Sequence, residues 1–143
     1  MTNLARKFVA LALTVSFAGC GPSVPSGPKV YPVKGTVTKG GAPVKGVSVG
    51  FYPYGTATGG TSGAGSTGDD GSFSVVSQFG PGLAQGSYKV TVTSPVAMDS
   101  YSNPGKGGPK PLVDVPKKLT SITTTSLLID VKPTSDNVVK VEF

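Results

Sequence analysis

Residues 86–93, Gly-Ser-Tyr-Lys-Val-Thr-Val-Thr, carry the cleanest two-residue alternation in the chain, with Tyr88, Val90 and Val92 on one side and Lys89, Thr91 and Thr93 on the other. Period two marks a strand with one face in a core and the other in water, and β-branched and aromatic side chains suit that pleated surface. Upstream, Val33, Gly35 and Val37 alternate with Lys34, Thr36 and Thr38 before a turn at Lys39-Gly40-Gly41-Ala42-Pro43. Val47, Val49 and Phe51 then alternate with Ser48, Gly50 and Tyr52, and Asp69-Asp70-Gly71 turns into Phe73 and Val75. Downstream, Leu127, Ile129 and Val131 read as one strand, and Val139, Val141 and Phe143 as another across residues 132–136. These last two are expected to close the domain as a hairpin, with Phe143 built into the sheet. Six or seven short strands separated by turn signals predict an all-β sandwich.

Composition agrees. Glycine (21) and proline (13) account for 34 of 143 residues, which leaves little room for regular helix, while only 14% of residues are charged, too few for a charge-driven disordered chain. The chain has no histidine and no tryptophan, and Arg6 is its sole arginine. Without histidine there is no Ser-His-Asp or Cys-His relay, no imidazole base and no His-ligated zinc. The acids are Asp69, Asp70, Asp99, Asp114, Asp130, Asp136 and Glu142, and their spacing forms no recognisable catalytic pair. The expectation is a protein that is not an enzyme and uses no cofactor or metal; a hydrolase working through two carboxylates is kept as an alternative.

The first nineteen residues read as an export signal. Arg6 and Lys7 precede an apolar run, Phe8 to Ala18, that is too short to span a bilayer. It ends in Phe17-Ala18-Gly19-Cys20, which resembles the lipobox of bacterial lipoproteins: an apolar residue, two small residues and the cysteine. That resemblance implies a diacylglyceryl thioether on Cys20 and acylation of its freed amine. The competing reading is a secreted protein with an incidental cysteine, and the placement of the chain's one cysteine at the lipobox position favours lipidation. One cysteine also excludes an intramolecular disulfide framework. Several acyl chains hold a protein on a membrane durably, where one does not. Gly21 is not the aspartate that retains lipoproteins at the inner membrane in some bacteria, so the outer membrane is favoured.

Cleavage before Cys20 leaves 11 lysines against 7 acids, a side-chain net charge of +4. No arginine remains for bidentate phosphate or guanine contacts, and the lysines are scattered, so with export the reading excludes a nucleic-acid partner. Residues 20–29 (CGPSVPSGPK) form a Pro/Gly/Ser tether of about 30 Å in polyproline II geometry, and the domain occupies 30–143. Two irregular stretches interrupt the strands. Residues 53–68, glycine and small polar residues, are expected to form a long exposed loop; residues 94–118, with five prolines and three glycines, form the second.

The runs Val33-Lys34-Gly35-Thr36-Val37, Ala42-Pro43-Val44 with Gly46-Val47-Ser48-Val49, Thr67 to Phe73, and Gly86 to Val92 resemble the carboxypeptidase regulatory-like, transthyretin-like domain over residues 31–93. Val115 to Leu119 and the segment from Ser126 to Phe143 are similar to the ending of small bacterial lipoproteins of this type. The resemblance implies a Greek-key sandwich of about seven strands and an accessory or adhesive role. The zinc of the peptidase partner domain and the activity of transthyretin-related hydrolases both depend on histidines this chain lacks.

Three sharper readings compete with plainer ones. Asp69-Asp70-Gly71 lacks the alternating ligands and distant Glu of a calcium loop, and turn chemistry accounts for it. Lys34 and Asn137 have the residue types of an isopeptide link, but no inward acid lies between them, which leaves a solvated lysine and a turn asparagine. Tyr54 and Tyr101 offer faces for sugar rings, against isolated or partly packed tyrosines. Binding residues concentrate on loops carried by a rigid scaffold, so the candidate contacts are Tyr54, Tyr101, Lys106, Lys110, Lys117 and Lys118, with an acidic envelope polymer or another envelope protein as partner. The expectation is a lipid-anchored envelope protein whose sandwich binds or supports, with a glycan-binding module as its alternative.

Overall fold

The structure, a computed structural model, describes residues 27–55, 59–96 and 110–143. In chain order its strands are β1 (Val30–Tyr31), β2 (Val33–Lys39), β3 (Ala42–Pro43), β4 (Ser48–Tyr54), β5 (Gly63–Ser66) and β6 (Ser72–Ser74). They continue as β7 (Val76–Ser77), β8 (Gly80–Pro81), β9 (Leu83–Ala84), β10 (Gly86–Thr93), β11 (Leu128–Val131) and β12 (Asn137–Glu142), with one 3-10 turn at Lys117–Leu119. The chain is an all-β sandwich. Among the described residues seven strands have three or more residues, and these carry the frame; the rest are two-residue pairings at corners.

One sheet runs β11-β10-β4-β5-β7-β8 and is antiparallel throughout. In the other, β2 is central, paired in parallel with β12 on one side and antiparallel with β3 and β6 on the other. A short ribbon joins β1 to β9. The alternating apolar residues meet between the sheets. Val33, Val37, Phe73, Val139 and Val141 come from one layer and Val49, Phe51, Tyr88, Val90, Val92 and Val131 from the other, all buried in one cluster. Phe51 and Phe73 touch across the layers with ring centroids 6.1 Å apart. Each such side chain contributes about 1.5–3 kcal/mol by leaving water.

One edge of the sandwich is closed by the chain itself. The segment after Gly71 pairs with β2 as β6, bends at the buried Val75, and continues as β7 in the opposite sheet. Strands that switch sheets make corners in this way. Val75 anchors the bend through its backbone: its N–H donates to the Val33 carbonyl, and its own carbonyl accepts from Gly82. The layers converge here, and β5 fits because its inward residues are Gly63 and Gly65. A Cβ on Gly65 would lie 2.5 Å from the Ser74 carbonyl oxygen, and one on Gly63 2.6 Å from Leu83.

Three expectations are corrected. The stretch 53–68 is not all loop: residues 63–66 form β5, paired with Phe51 to Ser48 of β4. Its inward positions are glycines, so the alternation exists in the backbone without a hydrophobic signal. Thr91, assigned to the solvent face, is buried, because Gly50 lies opposite it and the Tyr52 ring reaches back over Gly50. Finally, β11 and β12 are not a hairpin. β11 joins β10 and β12 joins β2, so residues 132–136 carry the chain from one sheet to the other. Asn137 holds this crossing: its side-chain oxygen accepts from Lys132 N–H, and its amide donates to the carbonyls of Pro32, Lys132 and Thr134. It is a turn asparagine, and Lys34 is exposed on the outer face of β2. Phe143 is tied in as expected, its N–H donating to Thr38 and its carbonyl accepting from Gly40.

The strand directions give the sandwich two distinct ends. The described chain enters beside β9 and the start of β10, where Gly27 lies against the Phe79 ring. β2, β10 and β12 all run away from that end, to Lys39, Thr93 and Phe143. The eight residues of β10 put about 25 Å between the two ends.

Candidate functional site

At the far end the second irregular stretch is closed at its base. Val96 and Pro111 form an antiparallel bridge, Leu112 N–H donates to the Pro95 carbonyl, and Val113 N–H donates to the Ser94 hydroxyl at 2.8 Å. Proline-rich chain cannot build a long ladder here, so a side-chain hydroxyl supplies an acceptor that a strand partner would otherwise offer. After Pro116 the 3-10 turn buries Leu119 as its apolar anchor and leaves Lys117 and Lys118 in water.

Between this turn and the end of β10 lies a groove of about 400 Å³, lined by Thr93, Ser94, Pro111, Val113, Asp114 and Lys117 among others. Lys39 reaches it from the end of β2, its ammonium donating to the Asp114 carbonyl at 3.0 Å and lying 3.6 Å from the Asp114 carboxylate. Lys110 is exposed and directly precedes Pro111, a lining residue of the groove. The far end thus gathers Lys110, Lys117 and Lys118 of the sequence-derived set. Tyr54 is not with them. It ends β4 at the opposite end, half-exposed, with the Lys89 ammonium 5.0 Å from its ring centroid and hydrogen-bonded to the Ile122 carbonyl. Cys20, Tyr101 and Lys106 lie outside the described residues, as do residues 1–26 as a whole, on which the expected signal and most of the expected tether fall.

Among the described residues four carboxylates are held by separate partners. Asp69 pairs with Lys45, Asp114 with Lys39, and Asp130 accepts from the Ser87 hydroxyl. Asp70 accepts from both the hydroxyl and the N–H of Ser72, which lowers its pKa below the ordinary carboxylate value and makes the Asp-Asp-Gly turn an Asx-type turn. The Asp69 hydrogen bond and charge raise Lys45 above its usual value. Among the described residues no three His, Cys, Asp or Glu gather where they could hold a metal ion.

A second concavity has no counterpart in the sequence reading. On the outer face of the six-stranded sheet, a shallow trough of about 380 Å³ crosses β4, β5 and β7. Ala64 and the Tyr52 ring, which lies over Ala64's register partner Gly50, form its floor, with Val76 beside them and Ser77 and Gln78 on the rim. Small residues on a solvent face carry no periodicity signal, so nothing in the sequence marks it.

Three buried hydroxyls were also beyond the apolar pattern, and the first, Thr67, accepts from Val47 N–H at 3.0 Å inside the stretch expected to be exposed loop. The Tyr88 hydroxyl donates to the Ala84 carbonyl at 2.9 Å, four residues back, the arrangement called a tyrosine corner in Greek-key sandwiches. Burial raises its pKa. Thr125 donates to the Val90 carbonyl at 2.6 Å and accepts from Leu127 N–H, fastening the return of the chain to β10. Comparison with protein-family models, with curated proteins and with solved structures finds no match.

Proposed function

We propose that the chain is a lipid-anchored, non-enzymatic protein of the bacterial envelope, fastened through Cys20, whose transthyretin-like Greek-key sandwich is a binding or structural module. The observation that supports this reading is polarity. The chain enters the described domain at one end, and the lysine-bearing groove opens about 25 Å away at the other. A domain tethered at its entry end presents Lys110, Lys117 and Lys118 away from the membrane, where an acidic envelope polymer or another envelope protein is reached. The tyrosine corner supports the Greek-key assignment.

Two measurements test it. Intact mass of the exported protein should show acyl additions at an N-terminal Cys20, absent from Cys20→Ser; a water-soluble product without acyl mass refutes the anchor. Replacing Lys106, Lys110, Lys117 and Lys118 with Gln should lower retention on isolated envelope material, and raised salt should do the same to the parent protein, because salt screens exposed charges. Unchanged, salt-independent retention refutes the electrostatic contact. Glycan binding is the second reading, and the uncharged trough across β4, β5 and β7 is the observation that favours it.

A further inference from the structure

We infer that the trough on the outer face of the six-stranded sheet is a binding site for a neutral glycan chain, with the Tyr52 ring as its stacking surface. The inference rests on the binding-module reading and assigns it a second site with its own ligand class. The trough is shallow and open, mostly apolar, with polar groups only at its rim. Its floor is Ala64 together with the Tyr52 ring, which lies down over Gly50, so a flat ring can rest on the exposed side of the aromatic beside the small Ala64. The Tyr52 ring reaches back over Gly50: a Cβ there would sit 3.0 Å from the ring and 3.2 Å from the phenol oxygen. Across the floor stands Val76, 57% exposed although it belongs to a strand. A pyranose has the matching chemistry, an apolar C–H face for the tyrosine and valine and equatorial hydroxyls for the rim. There Gln78 is exposed and offers an amide, and the Ser77 hydroxyl, which donates to the Gly80 carbonyl, keeps its acceptor lone pairs.

Charge chooses between ligand classes. The trough is lined by no Lys, Arg, Asp or Glu, in contrast to the groove at the far end with Lys117 and Asp114. An acidic polymer would find no counter-charge here, and a peptide strand would find no unpaired backbone at the trough, because Gly63 and Ala64 of β5 are paired on both sides. An uncharged, hydroxyl-rich chain is the occupant that leaves no charge unmatched.

The test uses the full mature chain and three neutral hexasaccharides, maltohexaose, cellohexaose and N-acetylated chitohexaose, titrated by calorimetry and followed by NMR. At least one should bind, with affinity unchanged between low and high salt. Tyr52→Ala should weaken it about tenfold, the loss of one aromatic contact, while Tyr52→Phe retains most of it. Ala64→Ile fills the floor from an exposed position without touching the core, and should abolish binding while leaving the melting temperature in place. Absence of binding to all three sugars overturns the proposal, as does binding that survives both Tyr52→Ala and Ala64→Ile, or binding that salt removes. Lysine-dependent retention on envelope material together with no sugar binding also overturns it, and in that case the binding-module reading stands.

Discussion

Gly65→Ala is the most direct probe of how the two layers close. The substitution adds one methyl group to an inward position of β5, 2.5 Å from the Ser74 carbonyl oxygen and 3.2 Å from the Phe73 ring. Real Cβ atoms do not approach a backbone oxygen that closely, so something must move. Ser74 is poorly placed to do so, because it is paired with Lys34 of β2; shifting it pulls β6 away from the centre of its sheet. Forcing an extra methyl into a packed interior costs about 1–3 kcal/mol, and the smaller entropy of the unfolded alanine chain returns about 0.4–1 kcal/mol. The expected net loss is about 1–2 kcal/mol, and at about 4–6 °C per kcal/mol for a domain of this size the melting temperature should fall by about 4–12 °C. Urea unfolding followed by tyrosine fluorescence and thermal unfolding by circular dichroism both measure it. Ser66→Ala, one residue on and facing water, should stay within about 0.5 kcal/mol of the parent. A Gly65→Ala protein as stable as the parent would refute the close approach of β5 to β6.

Tyr88→Phe should cost about 1–2 kcal/mol by leaving the Ala84 carbonyl without its buried donor, and its pH dependence gives a second reading. Because burial raises the folded pKa of Tyr88, its contribution is complete below the unfolded value near pH 10 and is lost as pH rises through the folded one, so alkaline destabilisation should be shallower in Tyr88→Phe. Asp70 has the opposite sign. Its folded pKa lies below the ordinary value, so its contribution is present above about pH 4 and fades as pH falls further; Asp70→Ala should flatten that acid limb in urea melts, and an unchanged limb counts against the Asx turn. Thr125→Val keeps shape but removes both hydrogen bonds at a buried site, and should lower stability by about 1–3 kcal/mol; a neutral effect would mean that these bonds do not fasten the chain to β10.

Where side chains alternate, the fold was legible in the sequence. Val33 to Thr38, Val47 to Tyr52 and Tyr88 to Val92 form strands in the phase their valines and aromatics require, with Thr91 the one misplaced residue. What stayed hidden has a common cause: the informative residue had no apolar side chain, or its partner was distant. β5 alternates glycine with alanine and serine, and Thr91 is covered by a ring that lies down only because Gly50 is small. The sheet change between β11 and β12 depends on Asn137 reaching Pro32, 105 residues earlier. The candidate contacts show the same division. Lys110, Lys117 and Lys118 come together at the far end because the chain leaves at Val96 and returns at Pro111, whereas Tyr54 is carried to the opposite end by the direction of β4.

The parallel pairing of β2 with β12 has a mechanical consequence. β2 follows the entry of the chain and is the central strand of its sheet, joined to β12 by a register running from Val33–Asn137 to Thr38–Glu142. A pull between the start of β2 at the entry end and Phe143 beyond β12 at the far end draws these two strands past each other along their length. The hydrogen bonds between them then bear the load together, in shear, where a pull across the sheet would open them one after another. On this geometry the β2–β12 pair resists extension most strongly along the axis that joins the two ends of the sandwich.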